Sequence, residues 1–149
     1  MKKSVTAAAS GIISAFKSER NMRFHVCAAF YVVVAAIVTH ASAMEWSILL
    51  ICIASVMCLE LLNTALEKLC DEVHPDFSPR IGMVKDIAAG AVLICAVISA
   101  AVGLTIFMRA EKLEYARNFI DEHTGMAALI VMTLPGAVYL IIRRYKNDN

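Results

Sequence analysis

Four near-continuous apolar runs dominate the chain, at residues 24–38 (extended by 39–44), 45–69, 86–108 and 125–142. Each is close to the roughly 20 residues that a membrane-spanning helix needs. Residues 5–16 read differently. Val5, Ala8, Ala9, Ile12, Ile13 and Phe16 recur at helical spacing, with Ser10, Ser14 and Lys17 on the opposite face. That pattern predicts an amphipathic helix lying on a membrane surface. The competing reading is a cleaved signal peptide, but Thr6, Ser10, Gly11 and Ser14 interrupt its apolar core. In the connector at 109–124, Leu113, Ala116, Phe119 and Ile120 predict a second interfacial helix. Pro135-Gly136 falls in the middle of the last run, where a kink is expected. The predicted architecture is an all-α integral membrane protein. It has an N-terminal amphipathic surface helix, a three-helix transmembrane core (residues 1–108) and an additional C-terminal transmembrane helix behind a connector (109–149).

Composition agrees. Of 149 residues, 60% are hydrophobic and only 7% aromatic, against about 45–50% apolar in soluble domains. A net charge of +1 offers nothing to attract a nucleic acid. The five cysteines lie mostly within apolar runs without CxxC or Cys/His spacing, so they read as small buried hydrophobes rather than disulfide or zinc ligands. Lys2, Lys3, Lys17, Arg20 and Arg23 precede the first run; Lys68, Arg80 and Lys85 surround the loop between the second and third; Arg143, Arg144 and Lys146 follow the fourth. The 39–45 connector has no Lys or Arg, and in the 109–124 connector acidic residues outnumber basic ones. The positive-inside rule therefore predicts a cytoplasmic-membrane protein with both termini and the central loop in the cytoplasm.

One stretch does not fit a purely structural span. Glu60, Asn63, Glu67 and Asp71 follow the run 48–59 without a turn residue, at spacings that keep them on one helical stripe. Ionisable groups at membrane depth are costly and mark function by default. Glu60 follows Glu45 by fifteen residues, which puts it roughly 22 Å along the helix from the outer surface. The stripe thus faces the cytosol, where nucleotides are.

Two more polar clusters can converge at that level. One is Lys17-Ser-Glu19-Arg20-Asn21-Met-Arg23, at the junction of surface helix and first span. The other is Lys85-Asp86, placed at the start of the third span, where free N–H groups and the helix dipole favour anions. Glu19 and Glu67 suit Mg²⁺, which takes one or two carboxylates plus phosphate oxygens. Glu60, the deepest, suits a general base acting on a lipid hydroxyl, with Asn63 positioning it. These are the parts of a phosphoryl-transfer site, although no Walker A or kinase glycine-rich loop occurs. Blander readings stand beside this one. Glu67 and Lys68 could snorkel at the interface, Lys85-Asp86 could be a flank with a helix cap, and Glu19-Arg20 could be a surface ion pair. A transporter subunit with a single membrane carboxylate is a rival functional class.

The motif Glu60-Leu-Leu-Asn-Thr-Ala-Leu-Glu-Lys-Leu-Cys-Asp71 resembles the Glu-(x)2-Asn-(S/T)-Ala-(x)-Glu-(x)3-Asp signature of the prokaryotic diacylglycerol kinase family. Lys85-Asp-Ile-Ala-Ala-Gly-Ala-Val-Leu93 resembles its second signature, and Ala15-Phe-Lys-Ser-Glu-Arg-Asn-Met-Arg-Phe-His25 its N-terminal segment in the Gram-positive-type form. The resemblance covers residues 4–108. It implies a small homotrimeric membrane lipid kinase that uses ATP and Mg²⁺, with active sites shared between subunits. It further implies Glu60 as catalytic base supported by Asn63, Glu19 and Glu67 as metal ligands, and Lys85, Asp86 and Lys17 on the nucleotide. The Ser-Glu-Arg-Asn-Met-Arg segment is similar to enzymes regarded as undecaprenol kinases, whereas the proteobacterial branch carries Asn-Glu-Ala-Ala-Phe-Arg. The expected substrate is therefore undecaprenol, with diacylglycerol the alternative. The fourth span departs from the usual three-span form, and no chemistry is apparent in it.

Overall fold

The computed structural model describes residues 2–74, 76 and 78–143. Arg144 and Lys146, two of the basic residues used to orient the chain, lie outside the described residues. Six helices follow in order: α1 (Lys2–Ser18), α2 (Arg20–Val38), α3 (Ala43–Val73), α4 (Pro79–Phe107), α5 (Ala110–Glu122) and α6 (Thr124–Ile142). Four of them, α2, α3, α4 and α6, are long and apolar enough to cross a membrane. The protein is therefore a multi-pass, all-α membrane protein, as the hydrophobic pattern predicts.

The helix boundaries correct the sequence reading at two points. α3 runs past Leu69 to Val73, because the polar stripe is built from good helix formers and contains no breaker. α4 starts at Pro79 rather than Asp86, with proline in its first turn, where a missing N–H costs nothing. Lys85 and Asp86 thus sit inside the helix, beyond its free N–H groups, and the dipole argument for anion binding at that point fails. Any pull on phosphate there comes from the Lys85 ammonium itself. α6 is helical through Pro135.

The turn into α3 has a capping box. The Ser42 hydroxyl accepts from Glu45 N at 3.3 Å, and Ser42 N donates to Glu45 Oε2 at 2.8 Å. A small apolar core forms at this end, where Ala36, Leu49 and Ile106 are buried against Val32, Trp46, Val102 and Phe107. Elsewhere the apolar side chains of α4 and α6 point outwards, as lipid-facing helices require. Val5, Ile12 and Ile13 of α1 are exposed as well, which suits an interfacial helix.

The C-terminal addition packs back onto α2. Tyr31 and Thr133 share a hydrogen bond of 2.9 Å at mid-span. Near the start of α2, Arg23 Nη2 donates to Ile141 O at 3.4 Å. At the far end, Lys112 Nζ donates to the carbonyls of Thr39 (3.3 Å) and His40 (3.2 Å), which satisfies acceptors left over where α2 stops. The same ammonium lies 3.0 Å from Glu45 Oε2, and Arg109 Nη1 lies 2.9 Å from Glu45 Oε1. These contacts set the start of α2 and the end of α6 at one level, and the α2–α3 turn and the α4–α5 junction at the other.

Candidate functional site

The polar stripe on α3 grades from buried to exposed along the helix. Glu60 is only 2% exposed, and Asn63 and its neighbour Thr64 are also buried. Glu67 is half-buried, and Asp71 is exposed. The order follows from the helix emerging from its packing with α2 and α4, so that one stripe samples successive depths.

The contacts at the deep end are sparse in a telling way. Asn63 Nδ2 donates to Glu67 Oε1 at 3.0 Å, which orients both side chains. Asn63 Oδ1 and Thr64 Oγ1 are buried without a hydrogen-bond partner. Unsatisfied buried polar atoms are rare in native proteins, which makes these two candidates for contact with a substrate. Glu67 follows Glu60 on the same stripe of α3, and Glu19 sits at the junction of α1 and α2, both of which pack against α3.

Glu19 is brought there by a break in the chain. It is the N-cap of α2, in extended conformation (φ −101°, ψ 125°), between the last residue of α1 and the first of α2. Lys17 is exposed in the last turn of α1, and no contact ties its ammonium to this cluster. Lys85, half-buried on α4, is ion-paired with Asp71, and Asp86 is exposed beside it. One chain thus sets Glu60, Asn63 and Glu67 on one stripe, with Asn63 bonded to Glu67, and holds Lys85 further along it through Asp71, while Glu19 lies at the neighbouring α1–α2 junction. It does not bring Lys17 or Asp86 into that set. Among the described residues, no group of three or more metal-binding side chains is close enough to hold an ion by itself. A pair of hard oxygen donors, one fixed by Asn63, still fits Mg²⁺, which keeps several waters and completes its shell with phosphate oxygens.

An apolar groove of about 470 Å³ opens between α2, α3 and α4. Phe24, Val56 and Met57 line it within a turn of the polar cluster, and Leu49, Leu104 and Phe107 line it toward the opposite end. A hydrocarbon chain in this groove would present its head at the level of Glu60.

Sequence reasoning missed Thr64, the pairing of Asp71 with Lys85, and the roles of Arg23 and Lys112. Thr64 was within reach, since it follows Glu60 at the i+4 spacing that defines the stripe.

Comparison with known proteins gives this geometry a context. The family model described as "Prokaryotic diacylglycerol kinase" matches residues 6–107. The chain is 41% identical over 106 residues to an undecaprenol kinase from Bacillus subtilis, covering 71% of this chain and 86% of that protein. It is 39% identical over 95 residues to a diacylglycerol kinase from Synechocystis, covering 63% of this chain and 54% of that protein. No solved structure matches it. A transporter built around one carboxylate has no place in these similarities. The chain is a member of the prokaryotic diacylglycerol kinase family and is a lipid kinase.

Proposed function

We propose that this protein transfers the γ-phosphate of ATP to the hydroxyl of undecaprenol at the cytoplasmic face of a bacterial inner membrane. The observation that carries this reading is the Glu60 carboxyl. It is 2% exposed, forms no salt bridge among the described residues, and lies one helical turn beyond Val56 and Met57, which line the apolar groove. Such a group is set to take a proton. In the reaction, the alcohol oxygen forms a bond to the γ-phosphorus, its proton passes to Glu60, and the bond from that phosphorus to the bridging oxygen of ADP breaks. Asn63 holds Glu67, and its unpartnered carbonyl oxygen, together with the Thr64 hydroxyl, orients the incoming alcohol. Glu19 and Glu67 would hold Mg²⁺, which would neutralise charge on the phosphate oxygens. Lys85 leaves Asp71 for a phosphate, Asp86 contacts the nucleotide, and Lys17 on the surface helix supplies a further positive charge.

The choice of undecaprenol is supported by the Bacillus relative, whose length the match nearly spans, whereas the match spans only about half of the Synechocystis diacylglycerol kinase (54%). Residues 1–108 form the kinase core in this reading, and 109–149 an addition to it. Both termini face the cytoplasm, and the active unit is a homotrimer whose sites are shared between neighbouring subunits.

The test is transfer of labelled γ-phosphate from ATP to undecaprenol or dioleoylglycerol in mixed micelles. Labelled polyprenyl phosphate formed in excess over phosphatidic acid is the expected result. Preferential labelling of dioleoylglycerol would make the protein a diacylglycerol kinase. No labelled lipid from either alcohol, with folded protein, would overturn the kinase site assigned here.

A further inference from the structure

A single residue, Glu19, separates α1 from α2 and forms an elbow in extended conformation. Its carboxylate is aimed by that elbow, so whatever holds the elbow also holds the proposed metal ligand. α1 contributes little, since its side chains are mostly exposed and its last carbonyls lack partners within the helix.

Arg23 supplies the hold. It lies one helical turn beyond Glu19, and is 3% exposed. Its Nη1 donates to Phe16 O at 3.3 Å and to Lys17 O at 3.0 Å, both in the last turn of α1. Its Nη2 donates to Ile141 O at 3.4 Å, in the last turn of α6. One guanidinium therefore joins the carbonyl ends of two helices, where the macrodipoles place partial negative charge. The planar fork of arginine suits this better than the point charge of lysine. Ile141 lies in the C-terminal addition, outside the 6–107 region that matches the family.

We propose that Arg23 is a positioning residue for Glu19, and that the C-terminal span acts on the metal site through it. α6 anchors one side of the guanidinium, the other side grips the end of α1, and the elbow that carries Glu19 is fixed between them. The fourth span, which carries no chemistry, thereby contributes to the geometry of the site. The link to metal rests on Glu19 being a ligand.

Two readouts on full-length protein in detergent test this, and neither is activity. The first is amide hydrogen exchange, and the second is Mn²⁺ binding with ATP, followed by electron paramagnetic resonance. Arg23→Gln is expected to speed exchange at residues 16–20 and also at 139–142, leaving 100–107 unchanged. It should weaken Mn²⁺ binding about tenfold, the lower end of what loss of a ligand's support costs. Arg23→Lys should lie between Arg23→Gln and wild type in both readouts, and it decides the matter if Arg23→Gln does not fold. Adding Arg23→Gln to Glu19→Gln should weaken Mn²⁺ binding no further than Glu19→Gln alone. Unchanged exchange at either segment overturns the role of Arg23. Unchanged Mn²⁺ binding in Glu19→Gln overturns the metal assignment and the link to it, an outcome distinct from the first.

Discussion

Helix α3 buries one carboxylate at its start and another near its middle, and the two are treated in opposite ways. Glu45, at the start, is surrounded by donors: Ser42 N, Lys112 and Arg109 all reach its oxygens. Glu60, near the middle of the helix, forms no salt bridge among the described residues, and Asn63 Oδ1 and Thr64 Oγ1 one turn on are buried without a hydrogen-bond partner. A buried charge whose hydrogen-bonding capacity is filled holds structure together, and removing one partner leaves the other stranded. A buried carboxylate without such partners is costly to keep charged. Burial alone does not distinguish a structural staple from a candidate catalytic group; the partners do.

The largest expected effect separates the two ends outright. Glu60→Gln keeps shape and removes the proton acceptor, so turnover should fall about a thousandfold or more, in the range ascribed to general-base catalysis. Its thermal midpoint should be equal to or above that of wild type, since a costly buried charge is gone. Lys112→Met does the reverse. The ammonium is 4% exposed and holds Glu45 and two carbonyls. Its loss should therefore lower stability, read as a lower melting temperature in detergent, with the rate per folded molecule nearly unchanged. A smaller effect is expected of Glu67→Gln, which should weaken Mg²⁺-dependent ATP binding about tenfold by calorimetry. The smallest sharpens the comparison most. Thr64→Val exchanges a buried, unpartnered hydroxyl for a methyl, so stability should hold or rise by up to about 1 kcal/mol while turnover drops. If Thr64→Val instead destabilises the protein, its hydroxyl is a structural group like those around Glu45.

The spans and the α3 stripe were legible in the sequence, because lipid demands long apolar runs and a helix converts spacing into a face. Glu60, Asn63 and Glu67 could be singled out for the same reason: they are polar where the period places them inside. Arg23 and Lys112 were not legible as ties, because their partners are backbone carbonyls of Phe16, Lys17, Ile141, Thr39 and His40. Every residue carries a carbonyl, so no pattern in the chain marks which ones end unsatisfied and near a cation. Lys85 was placed at a helix start because Asp86 opens the apolar run. The helix in fact begins at Pro79, since proline suits the first turn of a helix, where its missing N–H costs nothing.

The most direct test of the account sets the two ends against each other in one assay: labelled phosphate transferred from ATP to undecaprenol, per folded molecule, by Glu60→Gln and by Lys112→Met. The account expects essentially no transfer from the first and a near wild-type rate from the second, although the second is the less stable protein. A Glu60→Gln variant that still phosphorylates lipid at near the wild-type rate would contradict it.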